Sequence, residues 1–164
     1  MAIISNFIGF YSEKDSSTGY LSNWYRCRFT VNGICFSSSE QYMMYMKAIT
    51  FHDDVQKEAI MSTDDLGTIK ACGRKVQNYD NKIWNGIRQF VMLDALMAKF
   101  SQNEDLKQKL LATGDAVLAE CAPNDLVWGI GYSINDPECL DTSKWRGENL
   151  LGFTLMTVRN KLSD

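Results

Sequence analysis

The sequence predicts an α+β fold in which helices predominate and the β structure is a small antiparallel element. Three observations indicate this class. Several segments repeat apolar residues at helical spacing, two β-rich segments flank an Asn-Gly pair, and no internal repeat or low-complexity linker interrupts the chain. Its 164 residues, 45% of them hydrophobic, are enough for one core. We therefore expect a single compact domain over residues 1–164.

The β element is predicted near the N-terminus. Ile3–Tyr11 is rich in β-forming residues, and a polar loop, SEKDSSTG, follows it. The segment RCRFTVNGICFS then predicts a hairpin, because Asn32-Gly33 tolerates the positive φ angles of a type I′ turn.

Helices follow the hairpin. The first contains SSSEQYMMYMKA, Ser37–Ala48, and two shorter ones are predicted at about Asp53–Met61 and Asp64–Cys72. The longest periodic run, NKIWNGIRQFVMLDALMAKF, predicts a central helix capped by Asp80 or Asn81. Its apolar face is predicted to comprise Trp84, Ile87, Val91, Ala95 and Ala98, flanked by Phe90 and Leu96.

The C-terminal third predicts shorter elements. Asn103–Leu111 is amphipathic, and TGDAVLAECAPND predicts a short strand and loop. Glycine-containing segments surround a polar loop, Ser133–Lys144, and LLGFTLMTVRNKL predicts a closing helix.

Charge and composition limit the classes of function. The net charge of −3 arises from interspersed signs, which argues against a protein that binds through many phosphate contacts but allows one that binds a single nucleotide. The five cysteines include no C-x-x-C pair, so we expect free thiols in a reducing compartment. His52 is the only histidine and is expected at the surface, which leaves no histidine-rich metal site.

No segment has the pattern of a signal peptide or approaches 18 unbroken apolar residues. The expectation is a cytoplasmic protein that does not act at a membrane, with no metal and no cofactor.

Two charges stand in the apolar segment Ser37–Ala48. In a helix, seven residues at about 100° each return Lys47 to nearly the direction of Glu40, roughly 10 Å further along. Met43 and Met44 lie between them on the same face, so both charges point where apolar residues point. Buried charge is costly unless it is paired or used.

Each charge also has a structural interpretation. Ser37-x-x-Glu40 has the form of a capping box, which would account for the glutamate. Lys47 would extend its methylenes along the core and reach water with its ammonium. The helix alone does not decide between these interpretations and a catalytic pair.

Further motifs connect this segment to a known family. They are LSNW at Leu21–Trp24, SSSEQYMMYMKA, CGRKV around Arg74, Trp84 with its helix, MAKFSQN, LLATGD, PNDLVWGIG and GENLLGFTLMTVR, in this order. In them the chain resembles the NADAR family, the YbiA-like domain, from about Phe10 to Leu162. The resemblance implies a YbiA-like fold and an N-glycosidase, a hydrolase of the bond between ribose and an attached nitrogen. Family substrates are phosphorylated ribosylamino-pyrimidines of riboflavin biosynthesis and ADP-ribose attached to guanine.

The resemblance also implies that Glu40 and Lys47 are catalytic. A neutral lysine amine would attack the sugar carbon and displace the base as a Schiff base, with direct attack by water as the alternative. Glu40 would serve as general acid to the departing nitrogen and as base for the incoming water.

Other residues are carried over as substrate-binding. Asn23 would bond a ribose hydroxyl or serve as a turn residue, and Trp84 would stack on the base or belong to the core. Arg74 would bind a phosphate or neutralise a helix C-terminus. Asp125 would bind base or sugar.

The remaining predicted binding residues involve glycine or a helix start. Trp128 would form an aromatic wall while Gly129 and Gly131 let backbone approach a ligand. Gly147–Asn149 would present backbone N–H groups to an anion, or Asn149 would be a plain N-cap.

The preferred substrate is ADP-ribosyl-guanine, as a free nucleotide or in nucleic acid, because the loop Ser133–Trp145 is longer and more acidic than in many family members. Partners would then include, transiently, single-stranded DNA or a flipped-out guanine. The alternatives are a ribosylamino-pyrimidine phosphate of riboflavin biosynthesis and a non-catalytic module that binds ADP-ribose. The sequence leaves the oligomeric state open.

Overall fold

The computed structural model describes residues 6–163, whose backbone packs into two compact units. One unit is Arg26–Asn103, and the other combines residues 6–25 with residues 104–163. The prediction of one domain over the whole chain stays a prediction.

The first unit begins with the predicted hairpin. Strand β2, Phe29–Val31, pairs antiparallel with β3, Ile34–Phe36. The connecting residues Asn32 and Gly33 have φ angles of 49° and 80°. Both positive angles belong to a type I′ turn, so the Asn-Gly signal predicted this element correctly.

Four helices complete this unit. They are α1, Ser39–Thr50; α2, Asp54–Met61; α3, Leu66–Lys75; and α4, Asn81–Gln102. Aspartates cap three of them: the carboxylates of Asp53, Asp65 and Asp80 accept N–H groups from the first turns of α2, α3 and α4. Helix α1 packs against the other three, so residues on its faces are surrounded by helices.

The apolar face of α4 differs in part from its prediction. Trp84, Val91, Ala95 and Leu96 are buried, as expected. Phe90 is 69% exposed, so its predicted place beside the core is wrong. Met92, Lys99 and Phe100 are buried in addition. The face continues to the C-terminal end of the helix, beyond the residues used to predict it.

Helices α1 and α3 approach closely at Gly73. A Cβ atom there would lie 2.0 Å from Sδ of Met44, well inside van der Waals contact. Glycine therefore allows this approach without displacing Met44. The approach brings the C-terminal half of α3 against α1.

The second unit contains a parallel strand pair that was not predicted. Strand β1, Phe7–Phe10, lies beside β4, Val117–Glu120, with Phe7 opposite Val117. The first residues of the predicted segment Ile3–Tyr11 lie outside the described residues. Helices α5, Glu104–Leu111, and α6, Leu150–Ser163, complete the unit, and α6 packs against both β4 and α5.

The segment Ser133–Lys144, predicted as a polar loop, contains regular structure. It contains two short 3-10 helices, Pro137–Leu140 and Thr142–Lys144. Cys139 is buried, and its carbonyl accepts a 2.9 Å hydrogen bond from the indole of Trp145.

These elements give a helix-rich α+β fold with a small antiparallel hairpin, as predicted. Within residues 6–163, no helix combines the length and the apolar character needed to cross a membrane.

Candidate active site

The start of α1 is capped one residue later than the sequence suggested. The hydroxyl of Ser38 accepts the N–H of Gln41 at 3.1 Å, while the N–H of Ser37 donates to Oε1 of Gln41 at 2.8 Å. The predicted capping box of Ser37 and Glu40 is therefore wrong, because Ser38 and Gln41 provide the capping interactions. Glu40 needs another explanation.

Gln41 also fixes the position of this turn. Its Nε2 donates to the carbonyls of Ile60 and Thr63, at 3.1 and 3.0 Å. Both ends of the amide are thus used, and the first turn of α1 is tied to the end of α2 and the segment after it. Glu40 extends from an anchored backbone.

Glu40 is 1% exposed. Its Oε1 lies 2.9 Å from Nζ of Lys70 on α3, an ion pair whose angles are not those of a hydrogen bond. Within residues 6–163 Oε1 accepts no hydrogen bond besides this ion pair. A buried carboxylate oxygen normally accepts hydrogen bonds, so this atom has capacity for a substrate donor or proton.

Lys47 is half-buried two turns further along α1. Its Nζ donates a 2.8 Å hydrogen bond to the carbonyl of Gly73 and lies 4.3 Å from the ring centroid of Tyr79. The amine is therefore bound to protein groups, and whether it is catalytic stays a prediction.

The surroundings of Lys47 lower the pKa of its amine. Burial lowers its pKa most, the positive charges of Lys70 and Arg74 lower it further, and the negative charge of Glu40 opposes them. A lysine that loses its proton more easily is a better nucleophile near neutral pH.

Helix α3 supplies two cations to this cluster. Lys70 and Arg74 are four residues apart and so lie on one face of the helix. Lys70 was not predicted from the sequence, where the only available signal was this spacing. Arg74 is exposed in the last turn, where it satisfies the helix dipole and also acts on Lys47. Its phosphate role stays a prediction.

Trp84 lies in the first turn of α4 and is 7% exposed. This burial agrees with a core tryptophan. Its proposed stacking on a base stays a prediction.

In the second unit, Asn23 is 6% exposed, and its Oδ1 has no hydrogen-bond partner among the described residues. An unsatisfied buried acceptor is costly in the absence of a ligand. Its binding of a ribose hydroxyl stays a prediction.

Asp125 organises a turn. Its Oδ1 accepts the N–H groups of Val127 and Trp128, at 2.9 and 2.8 Å. Trp128 is 9% exposed. The carboxylate thus has a structural function in positioning Trp128, and contact of either residue with a substrate stays a prediction.

The glycines of this segment allow backbone to approach backbone. A Cβ atom at Gly147 would lie 2.1 Å from the carbonyl oxygen of Gly129, and one at Gly129 would lie 2.8 Å from Cβ of Ala122. Gly131 has a φ of 76°, in the left-handed region. Chain packing accounts for all three, and their predicted ligand contacts stay predictions.

The start of α6 does not offer its N–H groups to an anion. Those of Gly147, Glu148 and Asn149 donate to the carbonyls of Ile130, Leu126 and Gly129. The predicted anion site at this helix start is therefore wrong, because the neighbouring turn already satisfies these donors.

Asn149 is not a plain N-cap either. The residue is fully buried and has a φ of 51°, and its side-chain amide donates to the carbonyl of Leu118 and accepts the N–H of Glu120. It attaches the start of α6 to β4.

No group of three or more His, Cys, Asp or Glu side chains within residues 6–163 is placed to hold a metal ion. His52 is exposed, as predicted, in the turn between α1 and α2.

Known proteins resemble this chain over nearly its full length. An N-glycosidase of Acanthamoeba polyphaga mimivirus is 35% identical in an alignment that covers 94% of this chain and 95% of the viral protein. N-glycosidase YbiA of Escherichia coli is 33% identical over 95% of this chain and 88% of its own. A riboflavin biosynthesis protein of Vibrio vulnificus is 35% identical over 94% of this chain, which spans 38% of the larger protein.

The fold has a solved counterpart. The NMR structure of Escherichia coli YbiA superposes with a TM-score of 0.80 and 32% identity, covering 98% of this chain and 86% of that one. The fold and the relatives define a hydrolase of the N-glycosidase class. The model of the NADAR domain matches residues 9–163, and the chain belongs to the NADAR family.

Proposed function

We propose that Glu40 and Lys47 cleave the bond between ribose and the amino nitrogen of a ribosylated heterocycle, and that the substrate is ADP-ribose attached to guanine. The observation that carries this proposal is the buried Glu40 carboxylate, which is ion-paired with Lys70 and shares a helix face with a lysine of lowered pKa.

The reaction begins with opening of the sugar ring. The C1′–O4′ bond breaks, the proton of the amino nitrogen passes to O4′, and C1′ becomes an imine carbon. The neutral amine of Lys47 then adds to C1′, which thereby carries two nitrogens.

Glu40 directs the proton transfers that follow. Both protons of the Lys47 nitrogen reach the base nitrogen through the carboxyl group, one as the amine adds and one as the C1′–N bond breaks. The base then leaves with a free amino group. A Schiff base between C1′ and Lys47 remains. Glu40 then takes a proton from water as the water oxygen adds to C1′. Both protons of that water pass to the lysine nitrogen, the C1′–N bond to Lys47 breaks, and Lys47 leaves as a free amine. The sugar leaves as an aldehyde and closes its ring.

Electrostatics support a phosphorylated substrate. Lys70 and Arg74 bring two positive charges near Lys47, against the one negative charge of Glu40, in a protein of net charge −3. A local excess of cations suits a ligand that carries its own phosphates. A DNA-linked substrate would then gain its affinity from ADP-ribose, with the guanine flipped out or single-stranded.

A second substrate class is supported by the Vibrio vulnificus relative, which is named for riboflavin biosynthesis. Ribosylamino-pyrimidine phosphates have the same bond and one phosphate, and the Glu40–Lys47 chemistry applies to them unchanged. A module that merely binds ADP-ribose would need neither residue.

Substrate choice is tested by turnover of the intact protein on two compounds under identical conditions. One is an oligonucleotide bearing ADP-ribosyl-guanine, assayed for released ADP-ribose, and the other is a ribosylamino-pyrimidine phosphate, assayed for released base. We expect higher kcat/KM on the oligonucleotide. Higher kcat/KM on the pyrimidine would assign the second class, and binding of ADP-ribose without turnover of either would contradict an enzyme.

A further inference from the structure

We infer that Lys70 is a positioning residue of this site, one that sets the geometry and the charge of the Glu40–Lys47 pair. The inference rests on the proposed function for its catalytic consequence, while its physical basis lies in the contacts of α3.

Helix α3 contacts both members of the pair. The Nζ atom of Lys70 lies 2.9 Å from Oε1 of Glu40, and the carbonyl of Gly73, one turn further on, accepts the hydrogen bond of Lys47. The side chain of Glu40 is 2% exposed and that of Lys70 is 30% exposed. Lys70 therefore reaches from the protein edge to a buried carboxylate.

The position of Lys70 is set by packing. Its neighbour Ile69 is 0% exposed, and the contact of Gly73 with Met44 brings α3 against α1. Because the helix is anchored on both sides of Lys70, the ion pair forms without ordering a mobile segment. An ion pair at a pre-set distance can hold the Glu40 carboxylate in one position relative to a substrate.

Lys70 also acts on Lys47. The groups that face the amine of Lys47 are Glu40 on its own helix, Lys70 and Arg74 on α3, and the ring of Tyr79 after α3. Burial is the largest cause of the lowered pKa of Lys47. Among the charged groups, Lys70 has the largest effect, which exceeds the opposing effect of Glu40. Its ammonium thus keeps Glu40 paired and Lys47 easier to deprotonate.

Removal of the Lys70 charge should raise the pKa of Lys47, and the direction of this shift can be measured. In Lys70→Met, Lys47 loses a neighbouring positive charge and retains the negative charge of Glu40, so its protonated form is favoured. The amine should then become reactive only at higher pH. Lys70→Arg keeps the charge and should retain the wild-type behaviour.

The test is competitive labelling of lysines with acetic anhydride across a pH series, followed by peptide mass spectrometry of Lys47. This measures the protonation of Lys47 without any substrate. The variants are Lys70→Met, Lys70→Arg and, as matched control, Lys75→Met at the exposed end of the same helix. Thermal melts establish that each variant is folded.

We expect the labelling midpoint of Lys47 to move to higher pH in Lys70→Met and to stay in place in the other two. The pH profile of kcat/KM should move with it, and kcat at neutral pH should fall about tenfold, less than the roughly 10²- to 10⁴-fold due to an acid–base group. An unchanged midpoint in folded Lys70→Met, or an equal shift in Lys70→Arg, would overturn the inference. A shifted midpoint in a protein that cleaves no ribosyl substrate would instead support the coupling and refute the proposed function.

Discussion

Lys47 and Gly73 are joined by a 2.8 Å hydrogen bond from the lysine Nζ to the glycine carbonyl, at the point where α3 comes close to α1. The same glycine therefore permits the approach of the two helices and holds the candidate nucleophile. A site built in this way depends on helix packing as much as on its charged residues.

Gly73→Ala should destabilise the protein and reduce its activity together. The added Cβ atom would lie 2.0 Å from Sδ of Met44, so that α1 and α3 must separate or Met44 must move. Overpacking of this kind costs about 1–3 kcal/mol. Urea denaturation measures the loss of stability.

Gly86→Ala is the matched control, since this glycine also lies inside a helix but an added Cβ atom would meet nothing within 4 Å. It should stabilise α4 by roughly 0.5–1 kcal/mol. Equal effects of the two substitutions would show that helix propensity, rather than the contact with Met44, governs Gly73.

Borohydride added during turnover should attach the sugar permanently to Lys47, because it reduces the Schiff base. The yield should rise with pH until Lys47 is neutral, and its lowered pKa places this rise below that of an ordinary lysine. Mass spectrometry of the proteolysed protein locates the adduct. Turnover without any adduct would favour direct attack by water, with Lys47 serving to stabilise charge.

Asn149→Ala should lower stability rather than substrate affinity. Its amide makes two buried hydrogen bonds to β4, and loss of buried partners costs about 1–3 kcal/mol each. The φ of 51° adds a penalty for alanine. Asn160→Ala, exposed on α6, is the control for denaturation. An Asn149→Ala protein of normal stability with raised KM would show that Asn149 binds substrate after all.

Lys99 should make the free energy of unfolding vary with pH in the alkaline range. It is 0% exposed on α4, and burial lowers its pKa from 10.5 to about 8, partly opposed by Cys27. Between these two values the unfolded chain binds more protons, so the wild type gains about 3 kcal/mol relative to Lys99→Met as pH rises from about 8 to 10.5.

Denaturation at several pH values checks this difference, with Lys82→Met, an exposed lysine of the same helix, as control. A difference in the free energy of unfolding between wild type and Lys99→Met that stays constant over that range would show that burial does not lower the pKa of Lys99.

Local signals in the sequence predicted most of the elements. Asn32-Gly33 specifies its turn through two adjacent residues, and each aspartate cap lies directly before its helix. The pairing of β1 with β4 could not be predicted in this way. Phe7 and its partner Val117 lie far apart in the sequence, and parallel pairing leaves no turn signal between the strands.

The site shows the same limit. The shared face of Glu40 and Lys47 follows from helical spacing, and the structure buries the first and half-buries the second. Lys70 has no such relation to Glu40 in sequence, since the ion pair depends on how α3 packs against α1. Ser37 and Ser38 are adjacent serines, and the composition of the segment does not determine which of them caps α1.

The decisive assay is release of ADP-ribose from an oligonucleotide bearing ADP-ribosyl-guanine by the wild type, Glu40→Gln and Lys47→Ala, with Glu58→Gln on the exposed side of α2 as control. We expect release by the wild type and the control, and a loss of about 10²-fold or more in each of the other two. Full release by a folded Glu40→Gln or Lys47→Ala protein would refute catalysis by this pair.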